Sequence, residues 1–407
     1  DPFIRRAASD RPEKLAALAA QAEAMAAADH PSVERFPTTA ASGLEGYAAF
    51  PFDTQLFYDD GRSDADLRDR TGRDPQKQAE RKQAAAFFQA AEALRRDLGI
   101  DELPKYFAVL VADGDHMGAA ISAMTKRADH QRLSQRLAGF AAEADAIVRS
   151  HHGAMVYSGG DDVLAFLPLD RALTCADRLR QAFTKTMDGA TGATAVSLSV
   201  GLAIGHYGEQ LQRLLAWGRD AERAAKTPRE PRRPRDTARN ALAVSLHTRG
   251  AGEGRLVVHG WDEKPVTRRW DQWVAWHRAD EIPDSAAFEL SGLERELRSL
   301  WPDPDDDSPA ANERRERYRD LLRREALRIL GRRRSQHGGT PMEKTQRGAM
   351  ADLIGDDPAA LRRVADELLI ARRLAAAADI AAEPRASPPV DEPAVAATGA
   401  DGAGGRR

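Results

Sequence analysis

Two pairs of acidic residues stand beside apolar runs of this sequence. Asp113 and Asp115 follow the run "KYFAVLVA", whereas Asp161 and Asp162 follow the glycine pair in "MVYSGGDDVLAF". Like charges gathered at one place repel each other, which gives a purely structural sheet no advantage. Carboxylates of this kind form an all-oxygen site that suits Mg²⁺ or Mn²⁺, with nucleotide phosphates completing the coordination shell.

The elements around these residues predict that the two acidic groups meet. A short β-rich apolar run at 105–112 indicates a buried strand, and two apolar runs around Gly159 and Gly160 indicate a hairpin. Leu133, Leu137, Phe140, Ala144 and Ile147 are spaced as one face of a helix over 129–150. Further helices are predicted at 170–187 and 209–226, and a further strand at 193–204. This order predicts an α+β fold, a ferredoxin-like antiparallel sheet with helices on one face.

Such an arrangement favours chemistry at phosphorus. Two metal ions held by the strand end and the hairpin would support in-line displacement, with a ribose hydroxyl activated and the charge on a departing pyrophosphate balanced. Gly159 and Gly160 lack a Cβ, so a phosphate or a base could approach their backbone. An ordinary structural turn stays open for the hairpin alone, because glycine and aspartate are common turn formers.

The rest of the chain divides by composition. We predict a mainly helical region at 1–103, the sheet domain at 104–267 and a helical domain at 268–380. The Ala-, Pro- and Gly-rich tail at 381–407 is predicted to be disordered.

Composition excludes several classes of protein. The formal net charge of −3 provides no global basic field for nucleic acid. The single cysteine, Cys175, excludes an internal disulfide and a cysteine-built zinc site. No apolar run reaches the length of a membrane span, so we expect a cytoplasmic protein without membrane contact. Because the chain starts at Asp1 rather than at a methionine, we expect a fragment of a longer protein.

The stretches "AVLVADGDHMG" and "HHGAMVYSGGDDVLAFLPL" resemble the cyclase-like Palm domain in the large subunit of type III CRISPR effector complexes. The Cmr-type (III-B) version is the nearer match. The resemblance, which covers most of 31–380, includes "RFPTTA", "SLSVGLAIGHY" and "RNALAVSL". It implies a fold related to polymerase Palms and GGDEF cyclases. It also implies synthesis of cyclic oligoadenylate second messengers from ATP once target RNA is bound.

The resemblance also implies a set of metal ligands. By motif, Asp113 and Asp161 would bind Mg²⁺ or Mn²⁺, two ions in all, and Asp162 would act as second ligand or positioner. The backbone carbonyl of Gly114 could add a ligand. The catalytic residues implied are therefore Asp113, Asp161 and Asp162. Asp115 is expected to be structural, a cap on the following turn.

A second set of residues would bind the nucleotide. Gly159 and Gly160 would form the turn that faces ATP, with Ser158 beside it. Lys226 resembles the lysine that contacts the triphosphate in cyclase-like Palms, although a solvated helix end is an equal alternative. The implied partners are the other subunits of the complex and, through them, crRNA and target RNA.

The chain departs from the family in three respects. It has no His-Asp dipeptide, so we expect no DNase activity from it. It has neither a cysteine zinc site nor a recognisable first Palm, and an insertion at 227–236 lengthens the predicted loop after Lys226. Two basic segments, 227–236 and 312–331, could contact RNA but are more typical of solvated surface. Two alternatives in function remain: a catalytically silent Palm scaffold of the same complex, or a GGDEF-type dinucleotide cyclase. Against the latter, Val163 follows Asp162 and no Arg-x-x-Asp precedes the hairpin.

Overall fold

The computed structural model describes residues 1–28, 33, 35, 48–58, 78–191, 194–228, 238–249, 254–262, 266–332 and 344–381. A central sheet contains the strands β1 (Tyr106–Asp115), β2 (Ala154–Ser158), β3 (Val163–Leu167), β4 (Ser197–His206), β5 (Ala241–Leu246) and β6 (Arg255–Gly260). The helices before and between the strands are α1 (Pro2–Asp10), α2 (Pro12–Ala27), α3 (Gln78–Asp97), α4 (Met117–Ala123), α5 (Arg127–Ser150), α6 (Leu169–Met187) and α7 (Leu211–Ala225). Those that follow are α8 (Val266–Arg278), α9 (Ala286–Leu300), α10 (Pro309–Leu330), α11 (Lys344–Ile354) and α12 (Pro358–Ala381).

The strand order of the sheet is β2-β3-β1-β4-β5-β6. The first four strands pair antiparallel in the order of a ferredoxin-like fold, which confirms the predicted α+β class. The prediction of a wholly antiparallel sheet is wrong at one place, because β4 and β5 are parallel. Parallel neighbours need a crossover connection, and α7 lies in the connection between β4 and β5.

Helices cover both faces of the sheet, whereas the sequence predicted helices on one face only. Helices α5 and α6 pack on the face that carries Ala108 and Leu110. Helix α7 packs on the opposite face, where its Leu214 contacts Val109 and Ala203. The physical reason lies in β1, which is apolar at successive positions. A strand of that kind is buried on both sides, so a single helix layer would leave one side of it in water.

Close approach of α7 to the sheet depends on a glycine. A Cβ on Gly201 would lie 2.7 Å from the carbonyl carbon of Ala221 and would overlap the backbone nitrogen of Glu222. These are backbone atoms of α7, which cannot move aside as a flexible side chain could. Gly201 therefore sets the distance between β4 and the helix that carries Glu222.

We predict that Gly201→Ala destabilises the protein by about 2 kcal/mol, because the added methyl group forces α7 off the sheet. Chemical denaturation would measure the free energy of unfolding. Gly139→Ala is the matched control, since an added Cβ at this helical position meets no atom within 4 Å. The control should stabilise by about 0.5–1 kcal/mol, as expected for alanine over glycine inside a helix. Equal effects of the two substitutions would contradict the packing argument.

The N-terminal region packs around its own aromatic cluster. Residues 1–28 contain the two helices α1 and α2, and Pro12 begins the second because it has no N–H to continue the first. Phenylalanines from this region form a separate core: Phe3, Phe50, Phe52, Phe57 and Phe87. Arg5 connects the region to the sheet domain through hydrogen bonds of 2.9 and 2.8 Å to Asp170 on α6. Apart from Arg35, "RFPTTA" lies outside the described residues.

The C-terminal helices share one hydrophobic core with the α5–α6 face of the sheet. At its centre, the fully buried carboxylate of Glu367 accepts hydrogen bonds from His259 of β6 (2.7 Å) and Trp273 of α8 (2.8 Å), and pairs with Arg269. Burial raises the pKa of Glu367, but hydrogen bonding with His259 and the charge of Arg269 outweigh burial and lower it. The buried ion pair thus connects three elements. The predicted boundary between residues 267 and 268 falls inside α8.

Three arginines of the basic segment at 312–331, most of which lies in α10, pair with nearby carboxylates. Arg317 and Arg328 bind Glu313 and Glu325 of the same helix, and Arg323 contacts Asp356. This pattern is that of a solvated helix face. The basic segment at 227–236 beyond Pro228 and the tail beyond Ala381 lie outside the described residues. No helix in the described part of the chain is long and apolar enough to cross a bilayer.

Candidate functional site

The predicted acidic groups meet at one end of the sheet. β1 pairs with β3 up to the pair Ala112–Val163, and one further step of the same register sets Asp113 across from Asp162. A Cβ on Gly114 would lie 2.8 Å from Cβ and 2.9 Å from Oδ2 of Asp161. Asp161 therefore packs directly against the glycine between the two aspartates of β1. The structure brings Asp113, Gly114, Asp161 and Asp162 together, as the sequence predicted.

Crowding and burial alter the ionisation of these groups. Burial raises the pKa of Asp161, and the charge of Asp162 raises it further. The pKa of Asp162 is also raised by burial. On α7, burial raises the pKa of Glu222, with further contributions from the charges of Asp115 and Asp162. The site is an acidic cluster in which these three carboxylates hold protons more tightly than in water.

Lys226, at the end of α7, lies inside the cluster. Its Nζ contacts the carboxylate of Asp113 and lies 2.8 Å from Oε1 of Glu222. Only 19% of the side chain is exposed, so Lys226 does not behave as a solvated helix end. Burial lowers its pKa to about 8, and the nearby charge of Arg239 contributes. Lys226, the predicted contact to the triphosphate, thus forms an ion pair with Asp113, a predicted metal ligand.

Asp115 is a buried structural residue, but it does not cap the following turn. Its carboxylate accepts hydrogen bonds from Ser197 Oγ (2.6 Å) and Ser199 Oγ (2.9 Å) of β4. The backbone N–H of Asn240, just before β5, donates to it at 3.0 Å. Because β1 continues through Asp115, the side chain points across the sheet rather than toward α4. Helix α4 begins after His116 without a side-chain cap.

Sequence reasoning missed two residues of the site. Glu222 lies one helical turn before Lys226, and this i,i+4 spacing was the available signal. Arg239 pairs with Asp115 at 3.5 Å. Arg239 and Asn240 both have positive φ, 68° and 43°, which is costly for residues other than glycine. This backbone conformation could not be read from "RNALAVSL".

The hairpin glycines and Ser158 have different surroundings. Gly160 has φ of 98°, a conformation that requires glycine. A methyl group on Gly159 would overlap the hydroxyl of Tyr157. The absence of a side chain at Gly159 therefore leaves space for the Tyr157 ring. Ser158 Oγ donates to the carbonyl of Ala141 in α5 at 3.3 Å. Its side chain therefore lies toward the α5–α6 layer, away from Asp113.

The donor set suits a divalent cation in chemistry, although not in a preformed geometry. Asp113, Asp161 and Asp162 offer hard oxygen ligands of the kind that Mg²⁺ prefers. Burial, the main cause of the raised pKa values of Asp161 and Asp162, disfavours their charged forms, and a bound cation would offset that cost. Within the described ranges, however, no three His, Cys, Asp or Glu side chains are already grouped as metal ligands. Binding would require Lys226 to release Asp113.

We predict that Asp161→Asn raises the melting temperature by roughly 1–3 °C at pH 7.5 in metal-free buffer. The raised pKa of Asp161 means that the folded state disfavours its charged form, so the neutral amide relieves that cost. As the pH falls through the folded pKa, wild type becomes protonated and the advantage should vanish. Scanning calorimetry of both proteins between pH 7.5 and 4.5 measures this. A difference that widens at low pH would contradict it.

The acidic cluster thus lies at one end of a sheet whose first four strands have the ferredoxin-like order. Residues 106–242 match the family model described as Cas10/Cmr2, second palm domain. Over these residues the chain is similar to a Cas10/Cmr2 palm, in agreement with the resemblance seen in its motifs.

Individual proteins are also similar to parts of the chain. The CRISPR system Cmr subunit Cmr2 of Pyrococcus furiosus is 31% identical over 186 residues, covering 39% of this chain and 20% of the relative. The chain thus matches about one fifth of that relative's length. Among solved structures, a type III-B Cmr-beta complex in the apo state has a TM-score of 0.43 at 12% identity, covering 70% of this chain and 40% of that one. The guanylyl cyclase Cya2 has a TM-score of 0.28 at 12% identity, covering 39% and 93%.

Proposed function

We propose that this chain supplies the catalytic palm of a type III CRISPR effector complex and joins ATP into cyclic oligoadenylates when target RNA is bound. The observation that carries the proposal is the meeting of Asp113 and Asp161–Asp162 with Lys226 at one end of the sheet. The match of residues 106–242 to the Cas10/Cmr2 palm supports it. The other subunits of the complex, with crRNA and target RNA, are the partners proposed.

The chain's own residues would perform distinct tasks. Asp113, Asp161 and Asp162 would hold Mg²⁺ or Mn²⁺. When bound, the ions would lower the pKa of the attacking ribose hydroxyl and balance the charge of the departing pyrophosphate. Lys226 would leave Asp113 and contact the triphosphate, since its ammonium group lies beside that carboxylate already. Glu222 would keep Lys226 at the site through their 2.8 Å contact.

The acidic cluster also separates this proposal from its alternatives. A silent scaffold gains nothing from partly buried carboxylates whose raised pKa values reflect the cost of their burial. A GGDEF-type dinucleotide cyclase is less well supported, because the family match is to the Cas10/Cmr2 palm.

We predict that millimolar Mg²⁺ or Mn²⁺ raises the melting temperature of the wild-type chain, because a ligand that binds only the folded state stabilises it. Asp161→Asn and Asp113→Asn should each reduce this rise by at least half. Thermal unfolding with and without EDTA measures the effect. Asp220→Asn, on the exposed side of α7, is the control variant, and the buffers contain no Ca²⁺. The melting temperature of this control should rise as in wild type if the effect is specific to the cluster. If the melting temperature of both cluster variants rises as much with metal as that of wild type, Asp113 and Asp161 are not metal ligands.

We predict that the reconstituted effector complex makes cyclic adenylates from ATP only when target RNA is present. Asp161→Ala/Asp162→Ala should abolish the product, and Lys226→Met should raise the KM for ATP at least 10-fold. Mass spectrometry identifies the products, and a gel-shift assay shows that each complex still binds target RNA. If wild type binds RNA yet forms no cyclic product, the scaffold alternative replaces this proposal.

A further inference from the structure

Strand β2 contains an irregularity that redirects one aromatic side chain. Met155 pairs with Ala165, but Tyr157 pairs with Leu164 and not with the next residue in register, Val163. The extra residue is Val156, so β2 has a bulge. In a regular strand, residues two apart share a face. Across the bulge they do not, and Tyr157 lies on the opposite face from Met155.

The face that Tyr157 reaches is the one that carries Asp113. Leu164, its partner, pairs with Val111 of β1, and Val111 shares its face with Asp113 two residues later. Met155 instead packs into the core on the α5–α6 side. Without the bulge, Tyr157 would also face that side, and no aromatic side chain of β2 would lie beside the cluster.

Tyr157 is exposed and lies next to the turn. Its side chain reaches along the strand until the hydroxyl covers Gly159. The residue is 55% exposed and its neighbour Val156 is 51% exposed. Partly buried Leu164 and Phe166 continue the apolar surface across β3. An exposed aromatic ring thus stands at the end of an apolar strip, two strands away from Asp113.

From this placement we propose that the ring of Tyr157 stacks on the purine base of the nucleotide whose phosphates lie at Asp113, Asp161 and Asp162. The inference rests on the proposed function and deepens it by assigning the base. Neighbouring strands lie about 4.8 Å apart, so β2 and β1 are separated by about 10 Å. That span leaves room for a ribose between the base on β2 and the phosphates at the end of β1.

Aromatic stacking fits this surface better than polar readout. The strip offers the Tyr157 ring and the aliphatic side chain of Leu164, and a purine presents a larger π-face than a pyrimidine. Gly159 supports the arrangement, since any side chain there would displace the ring from its position. Tyr157 is therefore a residue that positions the base, and it takes no part in phosphate chemistry.

The test separates base binding from phosphate binding in the reconstituted complex. Isothermal titration with Mg²⁺ would compare a non-hydrolysable ATP analogue, the matching UTP analogue and inorganic tripolyphosphate. The variants are Tyr157→Leu, which keeps apolar bulk without a ring, and Tyr157→Phe, which keeps the ring. Leu256→Ala is the control, because Leu256 is another exposed apolar residue (46%) on the opposite edge strand.

We expect Tyr157→Leu to weaken the ATP analogue about 10-fold, in the range of measured stacking contributions, and to leave tripolyphosphate unchanged. Tyr157→Phe and Leu256→Ala should bind as wild type, and wild type should prefer the ATP over the UTP analogue. Equal loss for the analogue and tripolyphosphate would overturn the inference, because Tyr157 would then act by holding the hairpin. So would unchanged binding in Tyr157→Leu, with the proposed function intact. If wild type binds no nucleotide, the proposed function fails, and this inference with it.

Discussion

The structure is organised around the repulsion between carboxylates at one end of the sheet. Burial raises the pKa of both Asp161 and Asp162, and the charge of Asp162 raises the pKa of Asp161 further. Such crowding persists only where the surrounding fold holds the strands in place. Strand β1 pairs with β4 along its whole length and with β3 along half of it. The pairing of β1 with β3 and β4 therefore offsets the destabilising effect of the crowded carboxylates.

Two further groups keep the cluster compact. Asp115, fully buried, ties the end of β1 to β4 and to the start of β5 through hydrogen bonds to Ser197, Ser199 and Asn240. Helix α7, brought close by Gly201, carries Glu222 and Lys226 to the same place. Lys226 balances part of the acidic charge and forms an ion pair with Asp113. This ion pair closes the site, and it would have to break before a cation could bind Asp113 and a triphosphate could contact Lys226.

Much of the site followed from sequence, because its parts lie in short segments with strong local signals. The apolar run of β1, the glycine hairpin and the positions of the aspartates predicted the meeting of Asp113 with Asp161. Glu222 and Arg239 did not stand out. Each belongs to the site only because a helix or a loop distant in sequence folds back over the end of β1, and neither residue type is unusual in its own segment.

The sequence by itself determined the elements, the ferredoxin-like order and the residue types that favour phosphate chemistry, since hydrophobic period and turn residues are local properties. Only the tertiary structure decided that α7 covers the second face of the sheet and that β5 runs parallel to β4. It also decided that Lys226 rests on Asp113 and that the bulge at Val156 turns Tyr157 toward the cluster. These outcomes depend on packing between segments far apart in the chain. Backbone clearance and charge balance in three dimensions settle them, and neither is encoded in any single stretch.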